Sequence, residues 1–203
     1  MWARVTRVTN PRIGVLGGTF DPIHLGHLVV ASEVCAALAL DRVLLVPAHQ
    51  QPFKDSTGHA APQHRFAMCQ LAVAGDERLE VSDVDIARGG VTYTVDTLGD
   101  IAVAYPGADL FFIAGADAVS RLSEWREYER LLELARFVGV GRSGHPTPVL
   151  AAPHLVVDTP EVGVSSTEVR RRVRAGAPVR YLVPDAVAAY IAQHALYLGG
   201  PDV

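Results

Sequence analysis

Lysine is nearly absent from this chain: of 18 basic residues only Lys54 is a lysine, the rest being arginine. Cysteine is almost as scarce. Cys35 and Cys69 are too few for a disulfide framework, and both fall in apolar, helix-like segments where buried, reduced thiols are expected. Excess positive charge is also missing. A formal net charge of −4 and an isoelectric point near 6.0 exclude a global field for gripping nucleic acid. Any anion must therefore be caught locally. No stretch reaches the ~18 apolar residues of a membrane span, and the opening MWARVTRVTNPR lacks the apolar segment of a secretory signal. A cytoplasmic protein without a membrane partner is the expectation.

What is present suits one globular domain. Hydrophobic residues make up 49% of the 203, charged residues 20%, and mean hydropathy is +0.20. Residues 1–12 show no period and read as a flexible tail, leaving 13–203 as a single domain. Short β-branched runs at 13–17, 42–47, 79–84, 109–114, 137–141 and 155–158 alternate with helical patterns. Those helices fall at about 24–39, 62–74, 95–104, 118–135, 166–175 and 185–197. Continuous apolar strands alternating with helices predict an α/β fold, a doubly wound parallel sheet covered on both faces. Such sheets bind ligands beyond the carboxyl ends of their strands, where the strand order reverses. Motifs just after strands therefore carry most weight.

The first strand runs into Gly17-Gly18-Thr19-Phe20-Asp21-Pro22-Ile23-His24-Leu25-Gly26-His27. The glycines allow a tight turn with accessible amides. Asp21 suits an N-cap and Pro22 the first helical position, which makes His24 the third helical residue and puts His27 one turn later on the same face. Free amides at a helix start with two imidazoles suit a phosphate, although the Lys of a Walker A loop is missing. Zinc on His24 and His27 has no evident third ligand. About 140 residues later, Val164-Ser165-Ser166-Thr167-Glu168-Val169-Arg170 opens another helix. Ser165 or Ser166 can cap it, with Glu168 placed for the return contact of a capping box. Arginines near a helix start oppose the dipole unless an anion sits there. Arg171, Arg172 and Arg174 read as surface or salt-bridged residues.

GGTFDPIHLGH resembles the signature of the HxGH nucleotidyltransferases, and VSSTEVR resembles their ISSTxxR motif with Val164 in place of Ile. The resemblance implies a single-domain Rossmann-like fold in which His24, His27 and Arg170 are catalytic. It also implies that ATP is held by Gly17, Gly18, Thr19, Phe20, Gly115, Asp117, Ser165, Ser166 and Thr167 together with those three.

Between the two motifs lie the features that bear on the acceptor. Gly90-Val91-Thr92-Tyr93-Thr94 leads into a helix start able to hold a carboxylate, and Trp125 offers an indole for stacking on a flat ring. Lys54 sits in the 48–63 loop. Arg65 and Arg142 are either phosphate clamps or ordinary end charges. His49, His59, His64, His145, His154 and His194 show no metal-ligand spacing. Read together, the chain from about Ile13 to Leu196 resembles the nicotinate-nucleotide adenylyltransferase branch. That resemblance gives the acceptor nicotinic acid mononucleotide to Lys54, Thr92, Tyr93, Trp125 and Arg142, with Mg²⁺ accompanying ATP. Two departures stand out: Pro52-Phe53-Lys54 replaces the common Pro-His-Lys, and Thr92 stands where Ser is common. The alternatives are another acceptor (pantetheine phosphate or nicotinamide mononucleotide), a cytidylyltransferase, or a non-catalytic nucleotide sensor. A homo-oligomer stays open.

Overall fold

The structure, a computed structural model, describes residues 10–51, 59–142 and 154–199. Its strands are β1 (Arg12–Gly18), β2 (Arg42–Pro47), β3 (Leu79–Val81), β4 (Asp109–Gly115), β5 (Arg136–Arg142) and β6 (His154–Thr159). Its helices are α1 (Leu25–Ala37), α2 (Pro62–Val73), α3 (Val84–Arg88), α4 (Thr94–Ala104), α5 (Ala116–Val119), α6 (Tyr128–Leu134), α7 (Ser166–Arg174) and α8 (Asp185–Gln193). The strands form one parallel sheet in the order β3-β2-β1-β4-β5-β6, the doubly wound arrangement expected from the alternation. The order reverses between β1 and β4. Gly17-Gly18 and Ala114-Gly115 therefore flank the switch point at the carboxyl edge of the sheet.

Side-chain alternation divides the core between the two faces. Leu16, Leu45, Phe111 and Ile113 meet α1, α2, α7 and α8 through Val34, Met68, Val169 and Ile191. Ile13, Val15, Leu44 and Phe112 meet α4 and α6 through Leu98, Ile101 and Leu131. Cys35 and Cys69 are free thiols in the first cluster, both buried. No helix of the described residues is long and apolar enough to cross a membrane.

Most strand and helix ends shift by one or two residues from the sequence reading, and four departures have a clear local reason. Arg12 opens β1 instead of belonging to the tail. Its amide donates to the Asp41 carboxylate at 2.7 Å, its guanidinium donates to the Leu38 carbonyl at 2.9 Å, and the group lies 4.7 Å from the Phe111 ring centre. β3 stops at Val81 because Asp83 opens α3, a helix the sequence reading missed. The helix expected over 118–135 is broken into α5, a 3₁₀ turn at Leu122–Glu124 and α6. Trp125 is extended there and Glu127 left-handed (φ 55°), which sets the indole edge-on to Phe112 and Phe137 at 5.8 and 6.1 Å. α8 ends at Gln193, and positive φ at Ala195 and Tyr197 turns the chain back inward.

Gly14 is required in β1. A Cβ there would lie 2.9 Å from both Leu40 Cδ1 and Val43 Cγ2, and 3.1 Å from Ile113 Cδ1. Val43 sits on the neighbouring strand and has little room to give. Gly14→Ala is expected to destabilise the fold by about 1–3 kcal/mol, the usual cost of overpacking. A urea midpoint unchanged from wild type would contradict this packing.

Candidate active site

The loop after β1 differs from expectation in its helix start. α1 begins at Leu25 with His24 as the N-cap, so Asp21 and Pro22 are not its N-cap and first residue. The reason is that the Asp21 carboxylate is engaged elsewhere. It accepts from the Tyr197 hydroxyl at 2.6 Å and the Ala60 amide at 3.1 Å, and it contacts His59 Nδ1. The histidines still meet. Their rings stack at 3.7 Å and 21°, the His24 amide donates to His27 Nδ1 at 3.3 Å, and Phe20 lies edge-on to His27 at 4.9 Å. Gly26 makes this possible, since a Cβ would lie 3.1 Å from the His24 ring and 3.4 Å from Val164. Burial lowers the His24 pKa to about 4. Burial, then the neighbouring His24, lowers that of His27 to about 3. Both rings are neutral at pH 7, and His24 Nδ1 and Thr19 Oγ1 are buried without a hydrogen-bond partner.

α7 docks directly on this loop. Ser165 caps it, accepting from the Glu168 amide at 3.2 Å. Glu168 does not return a capping-box contact: its carboxylate takes Arg171 and Arg172, whose hydrogen bonds hold its pKa at about 2. The Ser166 hydroxyl donates to the Pro22 carbonyl at 2.9 Å. Buried Arg170 donates to the Asp21 carbonyl at 2.7 Å and to Thr167 Oγ1 at 3.2 Å, 3.8 Å from the Asp21 carboxylate. Arg65, left open between clamp and end charge, is buried and donates to the carbonyls of Thr19, His49 and Ala60 at 2.7, 2.9 and 3.1 Å. It braces two loops.

The opposite wall is the start of α4. Gly89 and Gly90 take positive φ (73° and 69°), a conformation that suits glycine, and the chain is then pinned to the end of β2. The Thr92 amide donates to the Gln50 carbonyl at 2.8 Å, and the Thr92 hydroxyl accepts from the His49 amide at 3.1 Å. The Thr92 amide and one lone pair of its hydroxyl are thereby occupied, while the hydroxyl keeps its proton to donate. The donors facing a ligand here are that hydroxyl and the first-turn amides of α4, beginning at Thr94 after the N-cap Tyr93. Beside them, buried Asp85 reaches the cleft lining, accepts from the Thr97 hydroxyl at 2.7 Å and pairs with Arg88, which also pairs with Asp100.

A cleft of ≈ 1410 Å³ separates the walls. Gly17, Gly18, His27 and Ser165 line one side; Thr92, Tyr93, Thr94 and Trp125 line the other, with Gly115 between. Thr19, Phe20, His24, Ser166, Thr167 and Arg170 are not among the cleft-lining residues; Phe20 is a core residue, and Ser166 and Arg170 knit α7 to the first loop. Exposed Asp117 is not brought to the lining either. Lys54 and His145 lie outside the described residues, and Arg142 closes β5. Among the described residues no three His, Cys, Asp or Glu gather as a metal site. The sequence reading missed Asp21 as a hub and Arg65 as a brace.

Comparison with known proteins agrees with this geometry. The cytidylyltransferase-like family model matches residues 15–172. A protein of Corynebacterium kroppenstedtii named "Probable nicotinate-nucleotide adenylyltransferase" is 48% identical over 203 residues, covering 98% of this chain and 96% of its own. A protein of Clavibacter sepedonicus with the same name is 49% identical over 198 residues, 95% and 98% of the two chains. This chain belongs to the nicotinate-nucleotide adenylyltransferase family. The fold agrees as well. The nicotinic acid mononucleotide adenylyltransferase of Plasmodium falciparum, solved with NaAD, superposes with a TM-score of 0.76 at 18% identity, over 93% of this chain and 98% of that one. In this chain the two sequence motifs meet on one wall of one cleft.

The two lowered imidazole pKa values make stability depend on pH. Below their ordinary value of 6.5 the unfolded chain takes up protons that the folded state refuses. Their contribution is complete above that value and is lost as pH falls toward 4. The urea midpoint should therefore drop between about pH 7.5 and about pH 5, with a shallower drop in His27→Gln. Equal drops in both proteins would contradict the burial of these rings.

Proposed function

We propose that the chain transfers the adenylyl group of ATP to nicotinic acid mononucleotide, giving nicotinic acid adenine dinucleotide and pyrophosphate in NAD biosynthesis. The observation that carries this reading is the cleft itself, with a phosphate-suited wall facing a ring-suited wall across the switch point. The triphosphate would lie along Gly17, Gly18 and His27, with the mononucleotide's ring on Trp125 and its carboxylate at the first-turn amides of α4. An oxygen of the acceptor 5′-phosphate attacks the α-phosphorus of ATP. A new P–O bond forms, the bond to the β-phosphate oxygen breaks, and pyrophosphate leaves with that electron pair.

Transfer of this kind asks the protein for position and charge stabilisation rather than for a nucleophile. His27 lines the cleft and donates to phosphate oxygens as negative charge moves toward the leaving group. His24 orients it through the stack and the 3.3 Å hydrogen bond. Arg170, held behind the wall, supplies positive potential to the same region. A divalent ion, Mg²⁺ in this reading, would accompany ATP and offset the charge of its phosphates. Substrates of this kind imply a cytoplasmic enzyme, and neither nucleic acid nor membrane has a role.

Incubation with ATP, Mg²⁺ and nicotinic acid mononucleotide should release pyrophosphate and the dinucleotide, whereas pantetheine phosphate should give no product. His27→Ala should lose about 10²–10³ in kcat, the usual cost of removing one transition-state donor. Nucleotide binding without pyrophosphate release by the unaltered protein would favour the sensor reading instead.

A further inference from the structure

We propose that Arg126 determines the choice between the acid and the amide form of the pyridine mononucleotide. The inference rests on the adenylyl-transfer reading above. The Arg126 guanidinium lies 4.6 Å from the centre of the Tyr93 ring, and Arg126, Tyr93 and Trp125 line the same cleft. Tyr93 is also the N-cap of α4. The ring that seats the cation thus belongs to the residue whose backbone opens the acceptor wall. A cation over an aromatic face is held in direction without losing its charge.

The acceptor wall needs that charge. The helix start offers only about half an elementary charge. Thr92 adds a neutral donor but no charge: its amide serves Gln50, its hydroxyl oxygen accepts from His49, and only the hydroxyl proton is left to donate. The surroundings are acidic: Asp96 lies in the first turn of α4, and Asp85 and Asp100 share Arg88. A pyridine carboxylate arriving there meets negative charge behind the amides, and Arg126 is a counter-charge on the cleft side. Glu127 does not cancel it alone. Its carboxylate lies 3.5 Å from Arg126 Nε and 3.3 Å from Arg130, so it is shared between two guanidiniums. The amide substrate carries no charge on that group and gains little from Arg126. The residue therefore acts on the difference between substrates, and the amide form serves as an internal control for damage to the site.

The test is steady-state kcat/KM for both mononucleotides with the wild type, Arg126→Gln, Arg126→Lys and Arg121→Gln. Arg121 is a second arginine of the cleft lining and, among the described residues, lies over no aromatic ring. Arg126→Gln should lower the acid value about fivefold, the scale of a partly screened charge pair, and leave the amide value within about twofold. Arg126→Lys should keep part of the preference, and Arg121→Gln should keep the wild-type ratio. Equal losses on both substrates would make Arg126 a mere prop for Tyr93 and overturn the assignment. So would an unchanged ratio in Arg126→Gln, or an equal change in Arg121→Gln. Absence of dinucleotide from the wild type overturns the adenylyl-transfer reading and this assignment with it. A normal wild-type preference that survives Arg126→Gln overturns the assignment alone.

Discussion

The buried carboxylate of Asp21 holds the active-site region together. It is 1% exposed, and a charge withdrawn that far from water is costly unless it is paired and fully hydrogen-bonded. Its partners come from segments far apart in the chain: His59 and Ala60 ahead of α2, Tyr197 after α8, and Arg170 on α7. Burial and the nearby carboxylate push the Tyr197 phenol up, so it stays protonated and donates. Satisfying one carboxylate thereby fixes the first loop against α7 and the end of the chain. Arg65 reinforces the arrangement with three bonds to loop carbonyls. The cleft wall gains its shape from charges that do not themselves line it.

This division explains why the two motifs behave differently from a simple phosphate cradle. Glycines, neutral His27 and the Ser165 cap face the cleft on this side, together with Glu168, whose carboxylate is already taken by Arg171 and Arg172. Further formal charge sits one layer behind, in Arg170 and Asp21, where it is partnered. A polyanion entering the cleft meets pre-placed neutral donors and a nearby guanidinium, with the Glu168 charge offset by its two arginines. On the opposite wall, the Asp85, Arg88 and Thr97 contacts fix the first turn of α4 in the same indirect way.

Much of this was legible in the sequence because the central strands are buried and short, although β6 is largely exposed. β2 matches its expected bounds, and the parallel sheet follows from strand–helix alternation; the place of the reversal, between β1 and β4, comes from the structure alone. The meeting of the two motifs was legible too, since both follow strands at one edge of the sheet. The missed features depend on contacts between residues far apart in sequence. Asp21 before a proline looks like a local cap, and only Tyr197, 176 residues away, shows why it is not. The 118–135 pattern looks helical because its apolar spacing is regular, yet Trp125 packs edge-on to two core phenylalanines and breaks it. Arg65 reads as either a phosphate clamp or a helix-start charge until the loops it joins are seen together. In each case tertiary packing overrode a sound local preference.

The central claim is that the Asp21 carboxylate assembles the wall proposed to hold the triphosphate of ATP while leaving the wall proposed for the acceptor alone. Calorimetric titration of Asp21→Asn with a non-hydrolysable ATP analogue, and separately with nicotinic acid mononucleotide, tests it most directly. Removing the charge leaves Arg170 buried beside a neutral amide, so affinity for the analogue should fall by about tenfold or more. Mononucleotide affinity should stay within about twofold, because the pinning of α4 does not pass through Asp21. Unchanged affinity for the analogue, or equal loss of both ligands, would contradict the claim.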